Sequence, residues 1–147
     1  MINLNTVNRI CIIAAESKLP RGISVAEKII ANEKARTKQF LVIPTNNYRV
    51  NENDSTRQLM EKLRPLVGDI EDQYRYAIET ELRNASVEGV PAEHKIDPRL
   101  LFLIDSSDKT GVALARLFQG PWGGFPFAKH TLAVDLPAHD KPNILLK

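Results

Sequence analysis

Apolar residues fall along this chain in two kinds of pattern. Short continuous runs occupy residues 10–15 (Ile-Cys-Ile-Ile-Ala-Ala), 40–43 (Phe-Leu-Val-Ile) and 100–104 (Leu-Leu-Phe-Leu-Ile). Each is too short for a buried helix and rich in β-branched or bulky residues, so each predicts a strand covered on both faces. Between these runs the apolar positions recur every three or four residues. Ile23, Val25, Ala26, Ile29 and Ile30, set against Glu27, Lys28, Asn32 and Glu33, predict a helix over 23–36. Ser55 and Gln58 have the spacing of a capping box ahead of Leu59, Met60 and Leu63; Pro65 is expected to end or kink that helix, and Gly68 and Asp69 to restart it. Ile70, Tyr74, Ala77, Ile78, Leu82 and Ala85 then share one stripe, with Glu71/Arg75 and Glu79/Arg83 as opposite charges four apart. Residues 111–118 predict a short helix and 131–136 a last strand, while 137–147 reads as a tail that can add an edge strand through 143–146.

Strands that alternate with helices favour right-handed crossovers, hence an α/β fold with a mainly parallel sheet of four or five strands and helices on both faces. The 147 residues suit one three-layer domain spanning 1–147. One unit recurs within it: a buried run, a polar loop, then a glycine and a helix. The copies cover 9–26, with Gly22, and 100–115, with Gly111. Ligands of open α/β sheets sit where such loops meet a helix N-terminus, so the two loops are expected to face one crevice if their strands lie side by side.

Composition narrows the partners. Lys and Arg total 20 against 18 Asp and Glu, a net charge of +2 that does not itself imply nucleic acid. No apolar run nears the roughly 18 residues a membrane span needs, and the single Cys11 has no intrachain disulfide partner. These features point to a soluble, cytoplasmic protein in a reducing compartment.

Chemistry concentrates in residues 105–111 (Asp-Ser-Ser-Asp-Lys-Thr-Gly). Asp105 and Asp108 can hold a cation; Ser106, Ser107, Lys109, Thr110 and the amides around Gly111 can hold a small phosphorylated ligand. The competing explanation is that one of Asp105, Ser106, Ser107 or Asp108 caps the helix. Glu16, Ser17, Lys18 and Arg21 offer a second polar rim after the first strand. No G-x-G-x-x-G or G-x-x-x-x-G-K-[ST] is present, and His94, His130 and His139 are too scattered for a metal site.

Glu16 after the first strand, Asp105 and Asp108 after a later one, and Gly111 with Ala113 and Ala115 opening the next helix resemble a Toprim domain, the metal-dependent module of primases, topoisomerases and some nucleases. The resemblance implies magnesium held by Asp105 and Asp108, with Glu16 as acid or base in phosphoryl transfer. Ser17 stands where that family has glycine, and two serines separate the aspartates instead of one residue.

Residues 120–127 gather Trp122, Phe125 and Phe127 among prolines and glycines. Exposed, they are anchors for a protein partner or a homo-oligomer; folded back, they are a lid on the core. Because every catalytic motif is incomplete, the expected function is a non-enzymatic interaction or adaptor protein using this segment and the amphipathic helix over 69–85; the alternatives are a small-ligand or nucleotide-binding domain using the two loops and a Toprim-like magnesium-dependent nuclease or phosphotransfer enzyme.

Overall fold

The computed structural model describes residues 6–29, 39–87, 89 and 96–136. Four strands, β1 (Arg9–Ala14), β2 (Gln39–Pro44), β3 (Leu100–Asp105) and β4 (Thr131–Val134), form one sheet in the order β2-β1-β3-β4. Every pairing is parallel. Three helices connect them: α1 (Leu19–Ile29), α2 (Thr56–Val87) and α3 (Lys109–Gln119).

The order dictates where the helices lie. From β1 the chain steps outward to β2, then crosses back over β1 to β3 and continues to β4, so right-handed crossovers must put α1 on one face and α2 with α3 on the other. Packing agrees. Ile10, Ile12, Leu101 and Leu103 bury against Ala26 and Ile23 of α1. Cys11, Ile13, Phe102 and Ile104 bury against Leu63, Leu66 and Ile70 of α2 and Leu114 and Leu117 of α3. All six residues of both β1 and β3 are buried, which is why these two strands read as continuous apolar runs. The chain changes direction between β1 and β3, so the carboxyl ends of these neighbours form the crevice of a doubly wound sheet.

Several elements depart from the pattern in the sequence. The first helix starts at Leu19, ahead of Gly22, and is described only to Ile29. Gly22 serves packing: a Cβ there would stand 2.8 Å from Ile12 Cγ2, so glycine lets α1 settle onto β1. Pro65 neither ends nor interrupts α2, which runs unbroken for 32 residues. Pro65 and Glu61, whose carbonyl loses its partner, are both exposed, so water can take that carbonyl while Leu63 and Leu66 stay fully buried. The capping box forms as expected, with Gln58 N–H donating to Ser55 Oγ (3.2 Å) and Ser55 N–H to Gln58 Oε1 (2.7 Å).

β4 ends at Val134; the tail over 137–147 lies outside the described residues, as do Ile30 and the rest of the predicted first helix. Trp122 and Phe127 are not surface anchors. Trp122 is 7% and Phe127 1% exposed, because Phe127 meets Phe102, Phe118 and Tyr74 edge-on and Trp122 packs beside Phe118. Phe125 alone of the three reaches the surface, stacked over Phe127 at 5.1 Å. No described helix is long and apolar enough to cross a membrane.

Candidate functional site

Asp105 closes β3 and is completely buried, so its carboxylate needs partners. Oδ1 accepts from Ser107 N–H (2.9 Å), from the Ser107 hydroxyl (2.6 Å) and from Leu136 N–H (3.2 Å). The 3₁₀ turn Glu16–Lys18, which follows β1, sends Lys18 across the crevice. Lys18 Nζ donates to Ser107 Oγ (2.7 Å) and stands 3.2 Å from Asp105 Oδ2 as an ion pair. That approach lies off the line of a hydrogen bond, and Oδ2 remains a buried oxygen with no hydrogen-bond partner. Burial pushes the Asp105 carboxyl up, yet the Ser107 hydroxyl and amide, the Leu136 amide and Lys18 outweigh it and hold the group below the ordinary carboxylate value. The two loops therefore meet, joined by a Lys18–Ser107–Asp105 cluster.

The beginning of α3 is set by two contacts. Gly111 lies against the end of β3 so closely that a Cβ there would be 1.8 Å from the Asp105 carbonyl oxygen. Thr110, buried, donates its hydroxyl to the Tyr48 carbonyl (2.7 Å), tying α3 to the loop after β2. Asp108 occupies the N-cap position in an extended conformation but makes no side-chain cap hydrogen bond. Its Oδ2 accepts instead from Thr45 Oγ1 (3.2 Å). Helix capping therefore does not account for the acidic loop: Asp105 orders the turn before α3, Asp108 turns to Thr45 just after β2, and neither side chain caps the helix.

A cavity of about 320 Å³ opens beside this helix start. The loop 50–54 with Leu59 of α2 forms one wall and the first two turns of α3 the other; Val50, Leu59, Val112 and Ala113 are apolar, Asn51 and Ser107 polar, Lys109 and Arg116 cationic, and Glu52, Asp54 and Asp108 acidic. Asp54 braces the loop by accepting from Asn51 N–H (2.8 Å) and Lys62 Nζ (2.7 Å); these two bonds, against a smaller opposing effect of burial, lower its carboxyl. Lys109 reaches back to Glu52 at 3.5 Å, with both side chains largely in water, so this bridge over the mouth is weak. Arg116 is exposed and has no hydrogen bond or ion pair among the described residues.

Of the residues singled out in sequence, Lys18, Asp105 and Ser107 come together, and Ser107, Asp108 and Lys109 line the cavity. Ser106 donates its amide to the Val134 carbonyl (2.7 Å). Glu16 and Ser17 are exposed, and the Glu16 amide donates to Asn46 Oδ1 (2.8 Å). The magnesium set implied by the Toprim resemblance does not fit this arrangement. Asp105 already holds Lys18, and among the described residues no three His, Cys, Asp or Glu side chains are grouped to hold a metal ion.

Sequence reasoning passed over Arg116, Val50, Leu59 and Thr45. The helical spacing of Lys109, Val112, Ala113 and Arg116 places them on one face of α3 and is the available signal for that wall of the cavity. Val50 and Leu59 carry no local signal, because only the fold brings them opposite α3. Compared with protein families, with curated proteins and with solved structures, the chain matches none.

Proposed function

We propose that this chain is a doubly wound domain that binds a small phosphorylated ligand of nucleotide size in the cavity beside α3. The observation that carries the reading is the cavity itself, which opens at the carboxyl edge of the sheet against an uncapped helix start. Its volume of about 320 Å³ falls at the lower end of ordinary ligand pockets, which span roughly 300–1,000 Å³.

The parts divide the work. The Val50, Leu59, Val112 and Ala113 wall takes an apolar or ring-shaped portion. Arg116, without a side-chain partner among the described residues, and Lys109, held there only by an exposed bridge, supply charge for a phosphate from the α3 wall, beside the positive end of the helix. Asp105 and Lys18 act beneath this site as its frame, with each already committed to the other. The adaptor reading loses two of its three aromatic anchors to the core, so the ligand reading has the fuller set of available groups.

Calorimetric titration with a nucleoside 5′-monophosphate tests the proposal. Binding should weaken about tenfold in Arg116→Ala, the loss of one charge-assisted contact. Absence of heat for nucleoside monophosphates and for inorganic phosphate alike would remove the reading.

A further inference from the structure

A second surface lies away from the cavity, along the outer edge of β2. Among the described residues β2 is the terminal strand, paired on one side only. Gln39 N–H donates to the Asn8 carbonyl (3.1 Å) and Thr45 N–H to the Ala14 carbonyl (3.0 Å). With a strand period of two, the odd-numbered residues of β2 bond to β1, while the N–H and C=O of Phe40 and Val42 and the C=O of Pro44 point outward. Val42 is 40% exposed, so this edge is not blunted by a covering element among the described residues. Natural edges are commonly protected by charge or by a covering segment.

Beside the edge is a hollow of about 240 Å³ lined by Val42, Ile43, Pro44, Asp69, Asp72 and Gln73. Its charged groups are both acidic. Among the described residues Asp69 meets only the Tyr48 hydroxyl, at a long 3.4 Å, and Asp72 stands 4.0 Å from Arg75, whose closer partner is Glu71 at 2.6 Å. Asp69 has no cation partner among the described residues, and Asp72 has only the long, exposed pair with Arg75.

We propose that the β2 edge and this acidic hollow receive an extended, basic peptide segment of a partner protein as a fifth strand. Main-chain bonds to Val42 and Phe40 supply the pairing, and Asp69 and Asp72 select Lys or Arg at alternate positions. A second copy of the chain is the poorer occupant. Antiparallel pairing of two β2 edges about a two-fold axis at Val42 would keep both α2 helices on one face, so Asp69 and Asp72 of each copy would meet like charges.

The test uses the full chain and a fluorescent heptapeptide of alternating lysine and valine, followed by anisotropy. Saturable binding is expected, at least about tenfold weaker for a glutamate–valine peptide and for the Asp69→Asn/Asp72→Asn variant. A lysine–valine peptide N-methylated on the alternate amides that face β2 should also lose binding, which separates strand addition from plain charge attraction without altering the protein. Equal affinity for the N-methylated peptide, equal affinity of the double variant, or no binding at all would each overturn the proposal. So would a dimer in sedimentation that Val42→Pro dissolves, since the edge would then belong to a second copy.

Discussion

At the scale of single residues, Gly111 and Asp105 define how α3 meets the sheet. Gly111 was legible as a glycine before a helix, but its reason was not: it is needed because the helix backbone approaches the Asp105 carbonyl, where a Cβ would stand 1.8 Å from oxygen. That oxygen is main chain at the end of a buried strand and cannot swing aside. Gly111→Ala is therefore expected to destabilise the fold by about 3 kcal/mol or more, far beyond the ordinary helix-propensity gain of alanine, as read by urea unfolding. Asp105 gives a pH signature. Its carboxyl is held below the ordinary value, so the charged form stabilises the fold above the unfolded-state value of about 4, and that contribution disappears as pH falls through the lowered value in the fold. Stability should thus decline on acidification more steeply in the native chain than in Asp105→Asn, measured as denaturation midpoints from pH 6 downward. Parallel curves would show that Asp105 gains nothing from Ser107, Leu136 and Lys18.

At the scale of elements, the strands were the most readable part. Continuous apolar runs marked β1 and β3 because both faces are covered, and the outcome matches their complete burial. Pro65 misled for a physical reason. Proline's penalty falls on one carbonyl, and at an exposed position water meets that carbonyl, while the buried Leu63, Leu66 and Ile70 hold the helix on the sheet. The penalty should still be measurable. Replacing Pro65 with alanine is expected to stabilise the chain by about 1–2 kcal/mol, the restored helical bond less the entropy that proline removes from the unfolded state. A destabilised Pro65→Ala would mean that the ring itself packs. The aromatic segment shows the converse error. Trp122 and Phe127 stand among turn residues that suggest a surface loop, but periodicity cannot report that the turn after α3, with Trp122 N–H donating to the Leu117 carbonyl, lays Trp122 beside Phe118, or that the 3₁₀ turn Pro126–His130 sets Phe127 against Phe118 and Phe102.

At the scale of the whole molecule, strand order is what turned two polar loops into one crevice. Sequence placed Lys18 and Asp105 at the ends of two strands; only the order β2-β1-β3-β4 makes those strands neighbours and sets Lys18 3.2 Å from Asp105. The same long-range arrangement brings Val50 and Leu59 opposite Arg116, which no local pattern reveals. The most direct test of the ligand reading is a backbone amide NMR titration of the full chain with a nucleoside 5′-monophosphate. Shifts concentrated at Asn51, Lys109, Thr110, Gly111 and Arg116, saturating with ligand and absent along β2, are the predicted result; an unchanged spectrum at those amides, or shifts confined elsewhere, would contradict it.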